Sequence, residues 1–406
     1  MGNRERTLFG RVTMRSRVAK IGGVVCLVST FVACWSGPTP APGSRTVDLT
    51  ALDGVNLKAS FFPAAAPGPG VLLLHQCNRQ RRVWDGLAEQ LAAAGINVLT
   101  VDNRGFGESG GVRFDQATPQ QAMELQAKWP GDFDVALQYL KSRPGVKADV
   151  IGVGGASCGV NNSVQTARRH QEVKSLVLLS GNTDINGREF LRKSNLPAFF
   201  ALADDDEFKP TVLALQWLYS LTSTPQKKFL RYKTGGHGAD IFPVHPDLPA
   251  AITDWFVTTL IKTPGSAPAS NGSPELTAAV SYLEEIDLGR ATKVQQELAE
   301  ARKHDPKASL FPEDLVNFMG YERLQARDTR YAVEIMKLNA FAYPDSPNAF
   351  DSLADACLAD GQKDLARQSA KKALDLLPSD TADPPERRDV IRAAAERKLK
   401  ELGGAT

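Results

Sequence analysis

The chain has 406 residues, room for two or three domains at roughly 150 residues each. Hydrophobic residues make up 42% and charged residues 23%, which excludes wholesale disorder. Lys plus Arg number 48 against 46 Asp plus Glu, and this near balance of +2 excludes a dedicated nucleic-acid binder, so no nucleic-acid partner is expected.

The small basic surplus sits at the amino terminus, where Arg4, Arg6, Arg11, Arg15, Arg17 and Lys20 face only Glu5; the remainder of the chain is mildly acidic. An apolar run follows from Ile21 to Ala33, too short for a bilayer core that needs ~20 helical residues. A basic segment, a short apolar core and a small residue before a cut are the marks of a signal peptide, here residues 1–33. Met14 is an alternative start. The end of the run, Phe31-Val32-Ala33-Cys34, resembles a bacterial lipobox and departs from it at Phe31. That resemblance implies lipidation at Cys34, an exported protein anchored to a membrane by its lipid, and a tether over 34–45. Plain secretion into a periplasmic or external space is the alternative. In either case Cys77, Cys158 and Cys357 would meet an oxidising compartment.

Residues 46–262 alternate strands and helices. Thr46–Leu52 and Val55–Phe62 suggest a hairpin turned at Asp53-Gly54. Buried-strand runs recur at Val71–Leu74, Asn97–Val101, Val150–Val153, Leu176–Leu179, Ala198–Leu202 and Lys227–Tyr232. Helical patterns lie between them at Trp84–Ala94, Asp132–Lys141 and Val160–His170. Such alternation calls for a mostly parallel sheet with helices on both faces, an α/β domain whose site lies at the carboxyl ends of its strands. Gly110–Lys128 is expected as a long loop overhanging that site, and Asn182–Asn195 as another wall. Neither is large enough for a helical lid, so the pocket is expected to be open.

Residues 263–274 hold no large apolar side chain and suggest a linker. Helical periodicity then occupies 275–402, expected as a small all-α domain. Within Pro347–Asp380, Phe350, Leu353, Ala354, Gly361, Ala366, Ala370, Ala373 and Pro378 resemble the 34-residue tetratricopeptide repeat in type and spacing. Glu313–Ser346 and Glu275–Ala308 match more weakly, and Glu386–Leu402 would cap the stack. The resemblance implies a concave face for a peptide or protein partner, with a stabilising or spacing appendage as the alternative.

Gly155-Ala156-Ser157-Cys158-Gly159 falls between a strand and a helix. Gly-x-Ser-x-Gly at such a turn is the pattern of a nucleophile elbow, where a strained bend leaves the hydroxyl exposed above the sheet. Four further segments stand in order around it: Val71-Leu72-Leu73-Leu74-His75, Asp102-Asn103-Arg104-Gly105-Phe106-Gly107-Glu108-Ser109, Ala203-Asp204-Asp205-Asp206-Glu207-Phe208-Lys209-Pro210 and Gly235-Gly236-His237-Gly238. Together they resemble the α/β-hydrolase family over 46–262, and within it the dienelactone-hydrolase-like and acyl-transferring branches. One departure is Gln76, which stands where that family has the Gly of His-Gly.

The resemblance implies a serine hydrolase (carboxylesterase or dienelactone hydrolase-like) acting on an acyl substrate through an acyl-enzyme, with Ser157 as nucleophile and His237 as its base. The family's usual placement of the acid four residues before a Pro, here Pro210, implies Asp206 as the acid, with Asp205 as runner-up; His245 is the runner-up base. A hydroxyl is a weak nucleophile at neutral pH, so an imidazole must take its proton and a carboxylate must hold that imidazole in one tautomer. The backbone N–H groups of Cys77 and Cys158 would form the oxyanion hole. Two amides sharing one oxygen bring their residues close, so a Cys77–Cys158 disulfide is expected, with two neighbouring buried thiols as the alternative. No pattern for a metal or a cofactor is present, and none is expected. The other readings are a non-catalytic scaffold on the same fold, and a peptidase or acyltransferase.

Overall fold

The computed structural model describes residues 43–269 and 274–403. Residues 1–33, expected as a signal peptide, Cys34 and the expected tether up to residue 42 lie outside the described residues. An antiparallel hairpin, β1 (Arg45–Thr50) and β2 (Asn56–Phe62), turns through Asp53-Gly54. Strands β3 (Gly68–Leu74), β4 (Asn97–Val101), β5 (Val146–Ala156), β6 (Val173–Leu179), β7 (Ala198–Ala203) and β8 (Lys227–Tyr232) complete an eight-stranded sheet of order β1-β2-β4-β3-β5-β6-β7-β8. From β4 to β8 every pairing is parallel, and β2 joins β4 antiparallel.

Side chains alternate across each strand, and the two faces collect separate cores. Val71, Leu73, Val98, Val177, Leu179, Phe199 and Ala201 pack against α1 (Asp85–Ala93) and α6 (Asp247–Phe256). Leu72, Leu74, Leu99, Val153, Leu178, Phe200 and Leu202 face α2 (Pro119–Lys141), α3 (Cys158–Arg169), α4 (Ile185–Lys193) and α5 (Lys209–Leu221). The order reverses around β3 and β4, which opens a crevice at the carboxyl ends of the central strands.

One expected loop is a helix. The sequence suggests a helix only from Asp132 and a loop over Gly110–Lys128, yet α2 runs unbroken from Pro119, so Met123 and Leu125 belong to it. Thr118 and Gln121 form a reciprocal capping box, and Pro119 occupies the first turn, where a missing N–H costs nothing. Pro130 suggested a stop, but Leu125, Trp129 and Phe133 continue one buried stripe past it, and that packing outweighs one lost backbone bond.

The remaining described helices are α7 (Ala279–Asp287), α8 (Ala291–His304), α9 (Glu313–Gln325), α10 (Thr329–Ala342), α11 (Pro347–Ala359), α12 (Lys363–Leu376) and α13 (Pro385–Glu401). Small side chains at Ala332, Ala349, Ala356 and Ala366 are fully buried where α10, α11 and α12 meet. Val280, Leu283 and Ile286 of α7 share one apolar core with Leu215 and Leu218 of α5, so the helical region is continuous with the sheet region's packing. Polar ties reinforce the seam. Arg188 and Arg192 of α4 reach Asp287, Glu284 and, on α9, Glu322, while Trp217 Nε1 donates to Glu284 Oε2 at 2.8 Å.

Candidate active site

Ser157 stands between the last residue of β5 and the first of α3, with φ 54° and ψ −120°. This left-handed conformation is rare for a residue with a side chain and turns it out of the sheet, leaving it partly exposed. The flanking glycines are steric requirements. A Cβ at Gly155 would lie 2.1 Å from Gly159 O, and one at Gly159 would lie 2.3 Å from Leu74 O. The bend is held by Ser157 N–H donating to Leu179 O and Val160 N–H to Ser157 O, both at 2.9 Å.

Asp206 and His237 meet on loops after β7 and β8. Both are buried, and Nδ1 of the imidazole lies 2.8 Å from Asp206 Oδ2. A carboxylate only accepts, so Nδ1 is the donor and Nε2 is the remaining ring nitrogen. Phe208 N–H donates to Asp206 Oδ1 at 2.8 Å and the Thr211 hydroxyl to Oδ2 at 2.9 Å, which fix the carboxylate's orientation. The partly exposed Phe208 ring covers the imidazole, centroids 4.6 Å apart.

The three consecutive carboxylates separate cleanly. Asp204 pairs with Arg231 and Lys233. Burial opposes its ionisation, but those two cations hold its carboxyl below the usual range. Asp205 is exposed and accepts from Gly236 N–H at 2.9 Å, a bond that lowers its carboxyl as well. Only Asp206 bonds to the imidazole of His237. His245 is elsewhere occupied: its Nε2 bonds Thr234 O at 2.8 Å and its ring packs on Tyr232.

The His237 loop touches the base of the serine turn. A Cβ at Gly238 would stand 3.1 Å from Ala156 Cβ, so the residue after the imidazole abuts the residue before the hydroxyl. Cys77 and Cys158 are joined by a disulfide with Cα atoms 5.9 Å apart. Cys158 is the first residue of α3, so its amide has no intrahelical acceptor and faces outward beside Ser157. Cys77 follows β3 in the adjacent turn.

The remaining motif residues are structural. Burial pushes the His75 imidazole's pKa down, toward the neutral form. Its Nε2 accepts Asn103 N–H at 2.9 Å, and its Nδ1 is 2.8 Å from Gln76 O. Asp102 accepts from Arg81 and Glu108 backbone N–H groups and pairs with the buried Arg81 guanidinium. Arg104 bridges Asp132 and Asp53. The sequence marks Gln76 only as a departure from a His-Gly pattern; its side chain's reach to the His237 loop is seen only in the structure.

Residues 66–204 match the family model described as serine aminopeptidase, S33. The thiohydrolase aneE of Aspergillus aculeatus is 26% identical over 134 residues, which cover 32% of this chain and 39% of that protein. The polyketide transferase grgF of a Penicillium species is 28% identical over 143 residues, 35% of this chain and 46% of that one. This chain thus spans less than half the length of either curated relative. A dienelactone hydrolase structure from Anabaena variabilis is 17% identical with a TM-score of 0.43, covering 53% of this chain and 98% of that one. From residue 45 to 262 the chain carries an α/β-hydrolase fold, matched at its centre by a hydrolase family model and followed by a helical region.

Proposed function

We propose that the protein is a serine hydrolase that cleaves a carboxylic ester, thioester or related acyl bond through an acyl-enzyme. Ser157 Oγ attacks the acyl carbon, His237 Nε2 takes its proton, and Asp206 holds the imidazole and stabilises it once charged. The proton passes to the leaving group, and a water activated by the same imidazole then releases the acid. The amides of Cys77 and Cys158 receive the developing oxyanion. The observation that carries this reading is the buried 2.8 Å bond between His237 and Asp206 on loops beside a serine in a strained turn. Thioesters join the substrate class because relatives carry the name thiohydrolase.

A fluorophosphonate probe tests it. Labelling at Ser157 in the wild type and none in Ser157→Ala is the expected result; an unlabelled, folded wild type would overturn it in favour of a binding scaffold. A panel of esters and thioesters of increasing chain length then reads the acyl preference, with short chains expected to be the faster substrates.

The amino-terminal pattern supports export and lipid attachment at Cys34. The helical pairs, whose first members α7, α9 and α11 each begin 34 residues apart, support a tetratricopeptide-like stack that docks a peptide partner. Incorporation of an alkyne fatty acid that Cys34→Ser abolishes tests the first, and peptide capture by the full chain tests the second.

A further inference from the structure

Gln76 follows β3 and its neighbour His75, at a position where a glycine would leave the loop free. Its side chain is fully buried. The carboxamide uses both of its functions on one short stretch of the His237 loop. Nε2 donates to His237 O at 3.1 Å, and Oε1 accepts Ala239 N–H at 2.8 Å. Nε2 also stands 3.4 Å from Asp240 Oδ2, a carboxylate gripped from the same side by Arg79 Nε at 3.0 Å and Nη2 at 2.8 Å.

Gly238, between the two captured peptide groups, has φ 62°, and a Cβ there would be 2.5 Å from Gln76 Oε1. A side chain at 76 and none at 238 are therefore one fitted arrangement. The neighbours of Gln76 are equally committed: His75 binds Asn103 N–H, and Cys77 is bonded to Cys158 beside the nucleophile. Three consecutive residues thus tie the turn after β3 to three other loops at the crevice.

We propose that Gln76 is a positioning residue: by holding the backbone on either side of Gly238 it sets where the His237 ring stands relative to Ser157 and to the oxyanion amides. This rests on the serine-hydrolase reading. The chemistry demands a carboxamide, because one atom must donate to a carbonyl while the other accepts from an amide. A carboxylate of the same shape would oppose the His237 carbonyl and Asp240, and a thioether would leave both peptide groups buried and unpartnered.

The test compares wild type with Gln76→Met and Gln76→Glu, each checked for folding by near-ultraviolet circular dichroism. In hydrolysis of 4-nitrophenyl acetate, kcat is expected to fall by ~10-fold or more in both, with KM within about twofold. The downfield proton resonance of His237 Nδ1–H, present in the wild type and absent in His237→Ala, is expected to broaden or vanish in both. Gln76→Asn, too short to reach, replaces either variant that does not fold and is expected to behave alike. Unchanged kcat and an unchanged resonance would overturn the proposal, as would a loss of thermal stability with both intact. Failure of the wild type to react with fluorophosphonate would instead overturn the catalytic reading, whatever Gln76 does to the ring.

Discussion

Arg188 on α4 and Asp287 at the end of α7 lie 99 residues apart in sequence and 3.0 Å apart in space, both almost wholly buried. Glu322 takes the same guanidinium at 2.8 Å, and Trp217 lies under it with the charge centre 4.7 Å from the ring centroid. One guanidinium therefore bridges two carboxylates at the seam between sheet and helical regions, and Arg192 shares Asp287 with it. Removing it leaves the buried Glu322 without its cation while Asp287 keeps Arg192, so Arg188→Met is expected to destabilise the whole chain by about 3 kcal/mol, read by urea denaturation. Equal stability would show that the seam's apolar core suffices.

Glu322 makes that seam pH-dependent. Burial pushes its carboxyl up to about 7, against the pull of Arg188. A folded value above the unfolded one means stability from this group is present at low pH and is lost as pH rises from the ordinary carboxylate range through about 7. Asp287 opposes the trend only at more acidic pH, since Arg188 and Arg192 hold it low despite its burial. In denaturation between pH 5 and 8, the stability of wild type relative to Glu322→Gln is expected to fall with rising pH. A flat difference would refute the assignment.

Asp206→Asn keeps the shape of the acid but not its charge, so kcat on an activated ester is expected to drop by about three to four orders of magnitude. Asp205→Asn removes a surface charge while keeping an oxygen that can accept from Gly236 N–H, and is expected to leave kcat within about threefold. Comparable losses in the two variants would move the acid to the neighbouring position.

The Cys77–Cys158 disulfide spans 81 residues and so constrains the unfolded chain substantially. Chain-entropy arguments place its contribution at about 4 kcal/mol. The double variant Cys77→Ala, Cys158→Ala is expected to unfold at lower urea and to lose kcat, because both carriers of the proposed oxyanion amides are freed. Wild type treated with a reductant should follow it; an unaltered kcat in the folded double variant would remove the disulfide from catalysis.

Much of the site was legible because its signals are local. Gly155 and Gly159 flank Ser157 for reasons of backbone contact within one strand–turn–helix unit, and such contacts leave a pattern in neighbouring residues. Helix α2 was only half legible. Its capping box at Thr118 and Gln121 was present in the sequence, but Pro130 competes with it, and the buried stripe that carries the helix past the proline exists only once the sheet is there.

The sequence by itself determined the alternation that builds a parallel sheet, the bend that carries Ser157, and the helical character of the carboxyl-terminal region. Periodicity and turn chemistry act over a few residues, and a chain displays them before it folds. Tertiary structure decided what Gln76 holds and which carboxylates share Arg188. Each of those choices depends on a partner 99 to 163 residues away, and no spacing rule reaches that far.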